Sequence, residues 1–211
     1  MAAKTSKVKT PLGMQTLTYY PIKTEPDDAH PTYDTGVDLG AAVKGYLTVT
    51  TASASIPGDD ITQLEDEIFT GGQLDSETTM SDLAVNATLY GHTYTEADGE
   101  ESNSADRAKP GGLSFIEPIL LKDKSVVYRA TCLYKTQAMP SSEKQEADTK
   151  KAGELSPKTN AVSFKVMEDN TGAWRKRQDC DTLAAAKTFI SGVFSATGCP
   201  NMARRQRRAS L

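Results

Sequence analysis

Two imidazoles, His30 and His92, and three thiols, Cys132, Cys180 and Cys199, are the side chains of this 211-residue sequence best suited to act as a base, a nucleophile or a soft-metal ligand. The cysteines are odd in number, far apart and in no Cys-x-x-Cys pair, so three reduced thiols are expected rather than a disulfide framework or a zinc site. His30 lies in a Pro-flanked loop, and His92 directly follows a helix-like stretch that stops at Gly91. No motif supplies either with catalytic or ligand partners, and His92 reads as a polar residue at a helix end. There is no Gly-x-x-x-x-Gly-Lys phosphate loop, Gly-x-Ser-x-Gly elbow or His-Glu-x-x-His pair. Gly71-Gly72 and Gly111-Gly112 read as turns. The acids Asp59, Asp60, Glu65, Asp66, Glu67, Asp75 and Glu77 do not follow calcium-loop spacing and read as a solvated face. No catalytic residue, cofactor or metal is expected, and the chain is not expected to be an enzyme.

Charge narrows the partners. The formal net charge is −4, yet Arg204, Arg205, Arg207 and Arg208 sit together near the end, and subtracting those four cations leaves −8 for the body. Binding to nucleic acid rests on neutralising phosphates with Lys and Arg, so an acidic body argues against it. The last five residues, Arg207 to Leu211, resemble a substrate of cyclic-AMP-dependent protein kinase, but the plain reading is a basic tail or an added label. A basic contact with an acidic neighbouring subunit is a third reading. No run approaches the roughly 18 apolar residues of a membrane span, and the first ten residues lack a signal-peptide core, so assembly in a cytoplasm without a membrane is expected.

Any site must be positioned by a sheet. Residues 1–16 are polar and basic and read as a flexible arm, followed by a β-prone run, Thr18 to Ile22, that Pro21 confines to an edge or a strand end. Lys23 to Gly36 reads as a loop. In Ala42 to Ser55, Val43, Gly45, Leu47 and Val49 alternate with Lys44, Tyr46, Thr48 and Thr50, which predicts a strand with one dry face and one wet or interfacial face. A turn at Pro57 to Asp60 leads into two extended segments broken at Gly71-Gly72. Ser81 is placed as an N-cap, with Asp82 beside it, for a helix of about three turns whose apolar side is Leu83, Ala87 and Tyr90. Gly91 stops that helix.

The acidic run Glu96 to Lys109 reads as a surface loop or a locally disordered stretch. Gly112 to Leu121 and Val126 to Ala138, separated by Lys122 to Ser125, form a hairpin signal, and the second arm is apolar on both faces. Pro140 to Pro157 is a charged excursion long enough to imply a role. Ala161 to Val166 is a strand. Asp181 or Thr182 caps a last helix with Leu183, Ala186, Ile190, Val193 and Phe194 in a stripe, ended by Gly198 and Pro200. Two short helices cannot serve many parallel crossovers. The expected fold is therefore mainly β, a β-rich α+β arrangement with an antiparallel sandwich or barrel and helices outside, as one domain over 17–198 followed by a basic tail over 199–211.

Four stretches carry a resemblance: GGQLDSETTMSDLAVNATLYGH, GGLSFIEPILLKDKSVVYRATCLYKTQAMP, EKQEADTKKAGELSPKTNAVSFKV and DNTGAWRKRQDCDTLAAAKTF. In pattern and order, over roughly Gly40 to Phe194, the sequence resembles the major tail proteins, or tail-tube proteins, of long-tailed bacteriophages. The resemblance implies a β-sandwich or barrel with flanking helices, six copies in a ring, and rings stacked around a tape-measure protein into the tube of a virion tail. The implied partners are the chain itself, the tape-measure protein, other tail proteins and double-stranded DNA passing without specific binding. Glu65, Asp66, Glu67, Asp75 and Glu77 are then the candidate lumen acids, since screening over about 8 to 10 Å still leaves repulsion of DNA near the wall. Glu143, Lys144, Glu146, Asp148, Lys150, Lys151 and Glu154 form the candidate loop reaching the next ring.

The competing reading is a monomeric β-sandwich module that binds a cell-surface carbohydrate. Such a module requires an exposed aromatic platform, for which Trp174, flanked by Arg175 and Lys176, is a poor candidate.

Overall fold

The hairpin expected from Gly112–Leu121 and Val126–Ala138 is the spine of the molecule. The computed structural model describes residues 9–58, 61–79, 82–143 and 159–195, with the backbone alone for 54–58 and 61–66. In chain order the elements are β1 (Lys9–Pro11), β2 (Gln15–Thr24), β3 (Thr32–Tyr33), β4 (Val37–Asp38), β5 (Ala42–Gly58), β6 (Ile61–Thr78), α1 (Leu83–Tyr90), β7 (Thr93–Thr95), β8 (Gly99–Glu101), β9 (Pro110–Leu121), β10 (Val126–Ala138), β11 (Asn160–Met167), β12 (Arg175–Cys180) and α2 (Leu183–Phe194). The fold is mainly β. A ten-stranded antiparallel sheet runs β3-β2-β9-β10-β11-β6-β5, with β1 added to β9, β4 to β2 and β12 to β10, while β7 and β8 form a separate pair.

Strand β10 has protein on both faces, as its two apolar alternations require. On one face Leu133 packs with Leu113 and Phe115 of β9, Leu17 and Tyr19 of β2, Leu74 of β6, Val162, Phe164 and Val166 of β11, and Leu89 and Tyr90 of α1. On the other face Ala130 and Cys132 meet Ile116, Tyr33 and the stripe Ala186, Ile190 and Phe194 of α2. Each fully buried Leu or Phe contributes about 1.5–3 kcal/mol. The sheet curls tightly enough for Tyr19 of β2 and Phe164 of β11 to stack at 6.1 Å although β9 and β10 lie between their strands. Two adjacent glycines let both cores close on β9: a Cβ at Gly111 would stand 2.4 Å from the Tyr19 ring, and one at Gly112 would stand 2.3 Å from the Phe194 ring.

Several local expectations change. The sheet begins at Lys9, inside the stretch 1–16 read as an arm, because Lys9 to Pro11 pair with Leu121 to Ile119. Strand β2 is not an edge. Pro21 falls in the gap between the pairing of β4 at Thr18 and Tyr19 and that of β3 at Ile22 and Thr24. Residues Lys23 to Gly36 are not all loop, since β3 lies among them and Tyr33 is buried.

Asp82, and not Ser81, caps α1 by accepting from Ala84 N at 2.9 Å; the helix has eight residues, about two turns, and buries Asn86, Ala87, Leu89 and Tyr90 while Leu83 stays exposed. Gly91 closes it with a φ of 79°, the left-handed backbone that glycine adopts without strain. Thr182 caps α2 by accepting from Ala185 N, and Ser195 ends it; Gly198 and Pro200, expected to stop that helix, lie outside the described residues, as does the 199–211 tail.

The run Glu96 to Lys109 is ordered. It holds β8 and a loop in which Asp106 accepts from Asn103 N at 2.7 Å.

Candidate assembly surface

Strands β5 and β6 have 17 and 18 residues and pair with each other from Ala42↔Thr78 to Gly58↔Ile61. Strand β11 covers β6 only from Gly72 to Thr78. Beyond Phe69, whose ring still packs on the body, the hairpin runs on for about seven residues of β5 and eight of β6, roughly 25 Å at strand rise. Gly71 and Gly72 do not break the run, as the sequence suggested; both lie inside β6.

The outer edge of β5 has no strand partner among the described residues. An unpaired edge of this length is a template for another strand, and between Lys44, which with the extra residue Val43 blunts its start, and Pro57 near its end it carries no charge, proline or glycine except Gly45. The alternation read in Ala42 to Ser55 places Leu47 opposite Leu74 on the core side, but the face expected to be dry is only partly covered. Val43 is 56% exposed, at an extra residue in the β5 ladder, and Val49 is 42% exposed. Tyr46 and Ile68, on the opposite face, are 66% and 63% exposed. Val43, Tyr46 and Val49 on the part of the hairpin beside β11, with Ile68 on the part beyond it, leave an apolar surface that a monomer does not bury.

The five acids expected to share one wall do not all face the same way. Thr50 pairs with Gly71 and Thr51 with Phe69, so Thr70 is an extra residue in β6. That bulge reverses the parity of the strand. Phe69 turns to the core side and stacks on Trp174 at 4.5 Å, and Glu67 shares its side. Asp75 and Glu77 lie on the other face with Tyr46. Asp75 accepts from Ser163 Oγ at 2.5 Å and from Gln73 Nε2 at 2.7 Å, and those bonds, outweighing its slight burial, hold its carboxyl below the usual range. Glu65 and Asp66 stand opposite Ser55 and Ala54 in the register, and their side chains are outside the described residues. In the candidate inter-ring loop only Glu143 is described. Lys144, Glu146, Asp148, Lys150, Lys151 and Glu154 lie outside the described residues.

Glu143 is tied back to the body. Asn86 of α1 donates to its Oε1 at 3.0 Å, and His92 Nε2 is 3.8 Å from its Oε2. His92 Nδ1 bonds Asp106 Oδ2 at 2.8 Å, beside a cavity of about 510 Å³ that Tyr90, Arg107, Gln137 and Lys165 also line. Burial lowers the His92 pKa, but the bond to Asp106 and the fields of Glu100 and Glu143 outweigh it and the net shift is upward. A pKa raised on folding stabilises below the unfolded value and is lost as pH rises through the folded one. Amide protection factors across Asn103 to Arg107 are therefore expected to be lower at about pH 8 than at about pH 6, and His92→Gln to flatten that difference.

His30 has an acid partner as well. Its Nδ1 lies 2.6 Å from Asp169 Oδ2, and its ring stacks on Tyr134 at 4.4 Å. Neither pairing is visible in sequence spacing, since 14 and 139 residues separate the partners. Cys132 and Cys180 are buried free thiols, and burial pushes Cys132 up to about 12, which suppresses thiolate chemistry. Among the described residues no group of three or more His, Cys, Asp or Glu is arranged to hold a metal ion, and no helix is long and apolar enough to cross a membrane. Trp174 offers no sugar platform: Phe69 stacks on its ring, and the Arg175 guanidinium lies over it at 4.1 Å.

No family model matches the chain, and no curated protein matches it.

Proposed function

We propose that this chain is a structural protein that joins copies of itself into rings, six to a ring, which stack as the tail tube of a long-tailed bacteriophage. The β5–β6 hairpin carries the reading: a long two-stranded arm whose outer β5 edge has no strand partner among the described residues, with Val49 exposed on the face away from Asp75 and Glu77, has surface to bury against another copy. Its expected partners are the neighbouring subunits, a tape-measure protein and other tail proteins, with double-stranded DNA passing through the bore. Asp75 and Glu77 are the described acids that share a face, and if that face lines the bore they repel phosphate within about one Debye length, 8–10 Å. Closed rings require heterologous contacts between unlike patches, and obligate contacts of this kind bury more than about 2,000 Å².

Electron microscopy of the concentrated protein tests the proposal. Rings or tubes of uniform bore are expected. A particle that stays monomeric at high concentration, by native mass measurement, removes the proposal.

A further inference from the structure

Charge is segregated along this chain. No Lys or Arg occurs between Lys44 and Arg107, while thirteen Asp and Glu do. Part of that stretch is a small two-stranded flap, β7 to β8, whose connection and second strand carry Glu96, Asp98, Glu100 and Glu101 beside the exposed ring of Tyr94. Asn86 reaches Glu100 at 3.4 Å and Thr95 donates to Asp98 at 3.1 Å, but among the described residues no Lys or Arg pairs with any of the four acids. Such a flap is an anionic projection.

The opposite charge sits on β12, which pairs with β10 on one side and has no strand on its other side among the described residues. Arg175, Lys176 and Arg177 are consecutive there. Asp179 of the same strand is already engaged, accepting from Arg129 at 2.7 and 3.2 Å and from Lys9 at 2.7 Å, while Glu117 of β9 acts on Arg175 through its field. Arg177 is exposed and has no ion pair among the described residues, Arg175 lies over Trp174, and Lys176 lies over Phe189 at 5.5 Å. Desolvation, and then the like charge of Arg177, push Arg175 below its ordinary pKa against the opposing field of Glu117. The flap lies toward the Ala138 end of β10, where Gln137 bonds Ala108 of the segment that follows it, whereas β12 flanks β10 from Tyr128 to Leu133. Among the described residues no ion pair joins the two within one copy.

We infer that the acidic β7–β8 flap of one copy docks on the open basic edge of β12 in the next copy, making a head-to-tail contact between adjacent subunits. This rests on the ring-forming reading above and adds the surfaces that meet. Two unlike patches at the two ends of one strand give a heterologous interface, the kind that closes into a ring when the rotation suits. The complementary signs also favour encounter in the correct orientation and oppose flap-to-flap or edge-to-edge pairing.

The test is a charge-reversal exchange on the full chain. One variant carries Arg175→Glu with Arg177→Glu, and the other Glu96→Lys with Glu101→Lys; circular dichroism and thermal melts establish that each folds. Each alone is expected to lose assembly by about tenfold or more in a sedimentation assay, because like charges then face each other. An equimolar mixture is expected to recover assembly with alternating subunits. Recovery in the mixture alone supports the docking. Assembly of either single variant at the wild-type level overturns it, as does a mixture that stays unassembled while the wild type forms rings. Should the arginine variant assemble normally but lose retention of double-stranded DNA, the basic edge binds phosphate and the docking is again overturned. A wild type that never assembles removes this inference and the ring-forming reading together.

Discussion

Replacing Ala52–Ile68 with an Asn-Gly turn is expected to yield a folded monomer that forms no rings. Thr51 and Phe69 are directly paired, so a two-residue type I′ turn can close the shortened hairpin, and the Phe69–Trp174 stack is retained. The described side chains removed, Ala52, Ser53, Glu67 and Ile68, are all exposed. Exposed positions of this kind change stability by about 0.5 kcal/mol or less each, and for a domain of this size each kcal/mol moves Tm by roughly 2–4 °C. A melt close to the wild type with complete loss of sedimenting assemblies is the expected pair of readings. Tubes of normal length from the shortened protein would show that the arm is not a joining element.

Asp169→Ala is expected to cost about 3–5 kcal/mol, because it removes the acceptor that four donors share inside the protein. The Asp169 side chain is fully buried; it accepts from His30 Nδ1, from Thr171 N at 2.9 Å, from Thr171 Oγ1 at 2.7 Å and from Ala173 N at 3.0 Å. Together these bonds join the loop before β3 to the turn before β12. Burial alone would raise the carboxyl, but the bonds from His30, Thr171 and Ala173 outweigh it and the net shift is downward from 3.8. A carboxyl lowered on folding stabilises above its unfolded value and loses that contribution as pH falls through the folded one. Acid melts of the wild type should therefore steepen below about pH 4, and Asp169→Asn, which keeps an acceptor for the amides but not the charge, should reduce that slope. Guanidinium titrations at neutral pH measure the Ala variant directly. A loss below about 1 kcal/mol would show that water replaces the carboxylate without cost.

Local periodicity made much of the fold legible. The β9–β10 hairpin, β11 and α2 follow from alternation and spacing, and Thr182 and Gly91 cap where their side chain and left-handed backbone permit. The candidate surface was legible in part. An alternating strand with Tyr46 on one side marked β5, but only the topology exposes its outer edge, and only the bulge at Thr70 separates Glu67 from Asp75 and Glu77. One inserted residue inverts every side chain beyond it, and no property of Thr70 itself announces that insertion.

The two histidines mark the same boundary from the other side. Their neighbours in sequence indicated a loop residue at His30 and a polar residue at a helix end at His92, and their acid partners come from 139 and 14 positions away. The sequence by itself determined the antiparallel character, the glycine stop at Gly91, the doubly apolar central strand and the separation of acids from bases, because each depends on neighbours within a few residues. Tertiary structure alone decided which edges stay open, which acids share a face and where His30, His92 and the β12 cations lie, because those follow from strand order and register, which are settled by packing between distant segments.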